Sequence, residues 1–270
     1  MTTATIETAG ARTPARTRTA PPPIPFSRIL GVELRKMFDT RSGFWLIASI
    51  GITGLIATIA TIAFAPDKDL TYYNFAAAIG FPITVILPMV ALLSITSEWS
   101  QRSGLTTFTY VPSRRRVVCA KTLSAVIVAI GSMLFAFAVG AVGNVVGSTI
   151  AGTPTVWDLS VGHGLTIVLG NLISLSIGTM LGMLLRSSAG GLVMYFVLVL
   201  LVPNLSGLLA ASQDWYHDLQ PWVDLPYAQT YLFEGMHTGA QWAHVATTVA
   251  LWIVLPGYFG LRRVMRSEVK

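Results

Sequence analysis

The chain has 270 residues, of which 53% are hydrophobic and 11% charged, where an ordinary soluble domain carries roughly a quarter charged residues. With 18 Lys and Arg and 12 Asp and Glu gathered into clusters, there is too little polar surface to cover a soluble core of this size, and a soluble globular protein is excluded. A formal charge of +6 in a soluble chain would point to nucleic acid; in a membrane chain its meaning depends on which side of the bilayer the charges occupy.

Residues 1–25 hold Arg12, Arg16 and Arg18 among Thr, Ala and Pro, with no apolar run ahead of Pro21-Pro22-Pro23. They read as a disordered cytoplasmic tail rather than a cleavable signal peptide. Residues 27–41 then read as a helix lying at the membrane interface. At about 100° per residue, Phe26, Leu30, Leu34 and Met37 share one face and Arg28, Arg35 and Asp39 the opposite one. Ser27 is placed to cap this helix, and Arg28, Arg35 and Lys36 are placed to meet anionic lipid.

A bilayer core of roughly 30 Å needs about 20 apolar residues in a helix. Six windows free of Asp, Glu, Lys and Arg meet that need, at about 44–64, 73–97, 122–150, 163–185, 192–211 and 242–261. The fold class expected for residues 26–270 is therefore all-α, a polytopic membrane protein with six transmembrane helices. A very short turn at Arg186 and Gly190-Gly191 separates the fourth span from the fifth.

Alternate sides of these spans differ in charge. One side collects 17 basic and 5 acidic residues, a net +12, and the other sets Lys68 against 7 acids, a net −6. By the positive-inside rule both termini are cytoplasmic, in the cell membrane. The basic excess is then a matter of topology and lipid contact, and no nucleic acid is expected. The single cysteine, Cys119, forbids an intrachain disulfide and a Cys-rich metal site.

Between the second and third spans runs Glu98 to Lys121. Leu105, Phe108 and Val111 repeat every third residue, which a short helix would gather on one side. Pro112 ends that helix, and Ser113 opens the next, which continues into the third span. An apolar knob flanked by Glu98 and by Arg114-Arg115-Arg116 suits docking to another protein; a solvated positive-inside loop is the plainer reading. The order of an interfacial basic helix, six spans, Glu98, Arg102, Gly104-Leu105-Thr106, Pro112-Ser113-Arg114 and Lys121 resembles the permease subunit of ABC-2 type transporters, over roughly Arg28 to Arg266. The resemblance implies that this segment is a coupling helix seated on a cytoplasmic ABC ATPase. Glu98 and Arg102 would fix it and Leu105 and Phe108 would fill the ATPase groove, with Gly104, Arg114 and Lys121 as the other points of contact. It also implies a second permease protomer, identical or not, facing the first across a pathway lined by spans two and five, where Pro82, Pro88, Pro203 and Asn204 fall.

No phosphate-binding loop accompanies these features. The pair Lys121-Thr122 follows Ala120 and has Arg115 where the first glycine belongs. Gly162-His163-Gly164 lacks the third glycine of a dinucleotide fingerprint. Hydrolase signatures are missing too, so no enzyme activity and no cofactor are expected in this chain, and ATP and Mg belong on the partner subunit. Spans without interior ionisable residues count against an ion-coupled carrier. The expected function is outward movement of an amphiphilic, drug-like or lipid-like solute; the alternative is an ATPase-independent secondary carrier or a membrane scaffold protein.

Small residues recur every fourth position at Gly170, Ser174, Gly178 and Gly182, and at Gly143 and Gly147, as ridges for close helix packing. Pro82, Pro88 and Pro203 are expected to kink their helices. The outer segment 212–241 is rich in Trp and Tyr and carries Pro221 and Pro226. It reads either as a hairpin dipping back into the membrane, as the corresponding segment does in the family it resembles, or as an exposed loop. Glu234 and His237 stand three apart without a second motif of that kind, and no metal is expected.

Overall fold

The computed structural model describes residues 24–100, 113–236 and 238–266. The described residues are folded as helices without strands, and they contain six helices long and apolar enough to cross a membrane. This is the pattern of a multi-pass membrane protein. Helix α1 (Phe26–Asp39) precedes α2 (Arg41–Phe64), α3 (Tyr72–Ser100), α4 (Arg114–Ala151) and α5 (Val161–Leu185). The fifth span joins α6 (Ser188–Phe196) to α7 (Val202–Ser212) through a π-helical turn, Val197–Leu201. Two short helices follow, α8 (Asp214–Val223) and α9 (Leu225–Glu234). The sixth span joins α10 (Gly239–Val249) to α11 (Leu255–Arg266) through a second π turn, Ala250–Val254.

The two π turns have one cause. Each ends two residues ahead of a proline, Pro203 or Pro256. A proline ring in a helix clashes with the carbonyl four residues back and offers it no hydrogen. Widening the preceding turn by one residue moves that carbonyl aside. Pro82 and Pro88 are handled differently, because α3 stays helical through both. The Thr84 carbonyl, which Pro88 leaves without a donor, receives the Tyr195 hydroxyl at 3.4 Å, and the same hydroxyl reaches the Val85 carbonyl at 3.1 Å.

Helix α3 packs against α2, α4 and α5, and α5 also packs against α9 and α11. The glycine ridges are what allow these approaches. A Cβ at Gly178 would fall 2.7 Å from the Pro88 carbonyl carbon, and one at Gly182 would fall 2.9 Å from Ile95 Cβ, so α5 and α3 meet backbone to backbone. Gly143 and Gly147 receive the Phe75 ring in the same way. The main core lies between Ile79, Ile83 and Leu87 of α3 and Ala125, Ala129 and Met133 of α4. On the outside of the bundle, Ile56, Ile59, Leu134 and Leu208 are exposed, a coat suited to hydrocarbon rather than water.

In the outer segment, Asp214–Val223 and Leu225–Glu234 are helical rather than an open loop. Leu225, Ala228 and Leu232 of α9 are buried in a second core with Ile173, Ile177 and Met180 of α5. Gln229 Nε2 donates to the Gly170 carbonyl and to Ser174 Oγ, each at 3.1 Å. Trp252, in the middle of the sixth span, donates its indole N–H to the Val223 carbonyl at 2.6 Å. Helices α8 and α9 thus form a hairpin folded back into the bundle, with its tip at Val223-Asp224.

Helix α4 has 38 residues and at 1.5 Å per residue is about 57 Å long. It therefore runs well past a hydrocarbon core of roughly 30 Å. The extra turns lie at its Arg114 end, where α1 crosses it. Ser113 stands at the N-cap position as expected, although its side chain makes no cap bond. The expected Ser27 cap of α1 is absent, because that helix opens at Phe26 behind Pro25. Its buried side includes the expected Met37, with Phe26, Leu30 and Leu34 partly buried and Arg28, Arg35 and Asp39 exposed, but it is centred on Ile29, Glu33 and Met37, with Val32 and Phe38 half exposed.

Candidate functional site: a buried charge cluster beneath the bundle

Four charged side chains converge where α1 meets the ends of α3 and α4. Lys121 Nζ lies 2.6 Å from Glu33 Oε2 and 3.1 Å from Glu98 Oε1. Lys36 Nζ lies 2.8 Å from Glu33 Oε1 and 3.4 Å from Glu98 Oε1. Side chains of Glu33, Glu98 and Lys121 are only 3–4% exposed, whereas that of Lys36 is 44% exposed. Among the described residues two carboxylates and two ammonium groups balance, which is the condition under which buried charge is tolerated. Burial lowers the Lys36 amine, but Glu33 and Glu98 together outweigh it and hold the amine above its ordinary value.

Glu33 enters this cluster because it sits one helical turn from both Ile29 and Met37, so the stripe that faces the bundle carries an acid in its middle. The expected faces of α1 placed the apolar stripe around Leu30 and Leu34 and passed over Glu33. The signal for it was present in the sequence, as an acid spaced four from two apolar residues. Lys121 is likewise an α4 residue pointing inward beside Val117, Val118 and Ala120, all buried.

Glu98 and Lys121 flank the segment singled out for docking. Arg102, Gly104, Leu105 and Phe108 lie outside the described residues, as does the short helix expected around them. At the same end, Arg114 Nη1 donates to the Val264 carbonyl at 3.1 Å, Arg116 Nη2 to the Ile24 carbonyl at 2.8 Å and Arg263 Nη1 to the Leu184 carbonyl at 2.9 Å. Cations placed on late helical carbonyls of α5 and α11 are favourable for the dipole as well as for the hydrogen bond. Arg28 and Arg35 are exposed on α1. Together these contacts bind α1, α4, α5 and α11 into one plate under the spans.

The residues assigned to a pathway are dispersed. Pro88 is buried against Gly178, Pro82 and Pro203 are half-buried, and Asn204 is exposed with its amide turned back to the Leu200 carbonyl. The six charge-free windows hold no acid, as read from the sequence, but Asp224 of the outer segment is carried by the hairpin to a buried position, where it is 5% exposed. His237 is outside the described residues, and among the described residues no cluster of His, Cys, Asp and Glu could hold a metal.

No model of a known protein family matches the chain, and no curated protein matches it.

Proposed function

We propose that this chain is a membrane permease subunit of the ABC-2 type, working as a pair of protomers in the cell membrane with both termini in the cytoplasm. It moves an amphiphilic, drug-like or lipid-like solute outward, and the power comes from separate cytoplasmic ATPase subunits that hold ATP and Mg. The observation that carries the reading is the charge cluster. Its members Glu98 and Lys121 stand on either side of segment 101–112 and share Glu33 and Lys36 of α1. A push on that segment is thereby delivered to α1, α3 and α4 together. Leu105 and Phe108 seat the segment in the ATPase, while α1 rides at the headgroup level with Arg28 and Arg35 toward lipid. Two states of the bundle, biased by ATP-driven closure of the partners, complete the cycle.

The test is co-purification with the ATPase encoded beside it. Leu105→Asp together with Phe108→Asp should abolish the complex and the stimulation of its ATPase rate, and an intact complex would overturn the reading. A second reading, an ATPase-independent carrier, gains support from Asp224, since acids at membrane depth mark ion and substrate paths. Transport that persists in vesicles lacking every ATPase would establish it instead.

A further inference from the structure

A cavity of about 240 Å³ lies between α3, α5, the fifth span, the hairpin and the sixth span. Its wall is apolar and aromatic, with Tyr195, Leu198, Phe233 and Trp252 among its residues, and the polar groups on it include Asp224 and Gln229. Its apolar lining with a few orienting polar atoms is that of a small-molecule site, at a volume just under the usual range of about 300–1,000 Å³.

The hydrogen bonds around Asp224 run in one direction. Its Oδ1 accepts the backbone N–H of Tyr227 at 3.1 Å, capping α9. Its Oδ2 accepts from Ser206 Oγ and, at 3.3 Å, from Gln220 Nε2. Ser206 in turn accepts from Gln220 Nε2 at 3.2 Å and pairs with the Tyr216 hydroxyl at 2.8 Å. Every neighbour can donate to the carboxylate, which is the pattern that suits its ionised form, an acceptor only. An ionised carboxylate has about four acceptor positions, so among the described residues these three donors leave one free. Yet among the described residues no Lys, Arg or His forms an ion pair with Asp224. A buried carboxylate without a counter-charge is costly, and here it borders a cavity whose aromatic rings favour cations.

From this we infer that the cavity binds an organic ammonium ion, its charged head on Asp224 and its apolar body among Tyr195, Leu198, Phe233 and Trp252. The site narrows the solute class of the proposed permease to cationic amphiphiles and rests on that reading for its purpose, but not for its binding. Gln229, held on α5 by Gly170 and Ser174, fixes the hairpin against which the ligand lies.

The experiment uses the purified full-length chain in a non-ionic detergent, titrated calorimetrically with 4-phenylbutylammonium, the neutral 4-phenylbutan-1-ol and the anionic 5-phenylpentanoate. The ammonium should bind about ten-fold or more tighter than the alcohol, and the carboxylate weakest. In Asp224→Asn, where asparagine keeps the helix cap, ammonium affinity should fall to that of the alcohol while the alcohol is unchanged. Leu198→Trp should block both by filling the cavity. Equal wild-type affinity for the ammonium and the alcohol would overturn the site without reference to any variant. So would binding indifferent to Leu198→Trp, which marks partition into detergent, or displacement of the ammonium by sodium or potassium alone, which marks an inorganic cation site. Cation selectivity in a chain that recruits no ATPase would support the site and overturn the permease reading. The reverse pair of results would do the opposite.

Discussion

Substitution of Lys121 by methionine isolates the energetics of the charge cluster. In the native arrangement the Lys121 ammonium touches Glu33 at 2.6 Å and Glu98 at 3.1 Å. Methionine keeps much of the stem's volume and removes the charge, leaving two buried carboxylates beside Lys36 and lowering the cluster's charge by one. Breaking a buried pair from one side costs about 3–5 kcal/mol, because the partner is left uncompensated. Lys36→Met removes the same number of contacts, but its side chain is 44% exposed, and water screens what is left, so its cost should approach the ~0–1 kcal/mol of a surface pair. The double variant Glu33→Gln with Lys121→Met removes one charge of each sign, restores the native net charge of the cluster and should recover much of the loss. Thermal unfolding in detergent reads the series. Lys121→Met should drop the midpoint by on the order of 10 °C at roughly 2–4 °C per kcal/mol, Lys36→Met by a few degrees, and the double variant should lie between. If Lys121→Met is no worse than Lys36→Met, or the double variant is worse than the single, the cluster is not a balanced buried unit and the account of how α1 is held fails.

Four other outcomes are expected. Gly178→Ala forces a Cβ into the Pro88 backbone and should destabilise by about 1–3 kcal/mol, whereas Gly31→Ala, with open space around it, should stabilise by up to about 1 kcal/mol; a thermal-shift series compares them. Tyr195→Phe strips the donor from the Thr84 and Val85 carbonyls and should cost about 1–3 kcal/mol, but much less in a Pro88→Ala background, where the alanine returns an N–H to the Thr84 carbonyl; additive losses in that double-mutant cycle would contradict the assignment. Membrane-impermeant thiol reagents should label native Cys119, which is exposed, and an engineered Asp69→Cys from opposite sides of the membrane, and labelling from the same side would sink the six-span topology. The Lys36 amine is raised above 10.5 by its carboxylates, so its contribution to holding α1 is fully present below that value and is lost only as pH rises through the higher folded value. Hydrogen-exchange protection of α1, corrected for intrinsic rates, should accordingly be level from pH 7 to pH 9, and a decline within that range would place the control elsewhere.

The spans could be read from the sequence because their signal is one-dimensional: a charge-free run of sufficient length is a helix in a membrane whatever surrounds it. The helical ridge of Gly170, Ser174, Gly178 and Gly182 was legible for the same reason, since a spacing of four falls on one side of any helix. What it packs against was not, because Pro88 and Ile95 lie on another helix. Glu98 and Lys121 stood out by sequence, but the residue that joins them, Glu33, was passed over on α1 by a face assignment about 55° off. Period alone does not fix which flank of a short helix is buried when residues such as Val32 and Phe38 blur the stripe.

Asp224 exposes a limit of a different kind. Counting acids on alternate sides of the spans assigns it to the outer side, and in chain order that is where it belongs. The count treats each connection as lying outside the bilayer, whereas α8 and α9 fold inward, and the acid at their junction reaches the level of Trp252. The turn itself requires such a residue, since the N–H groups opening α9 need a cap and aspartate supplies one. The same carboxylate that makes the hairpin foldable is therefore the charge that makes the cavity selective. A neutral cap such as asparagine would serve the first role alone. That the position holds an acid, with Ser206, Gln220 and Tyr216 arranged to donate toward it, is the part of the design that folding does not require and that a bound cation does.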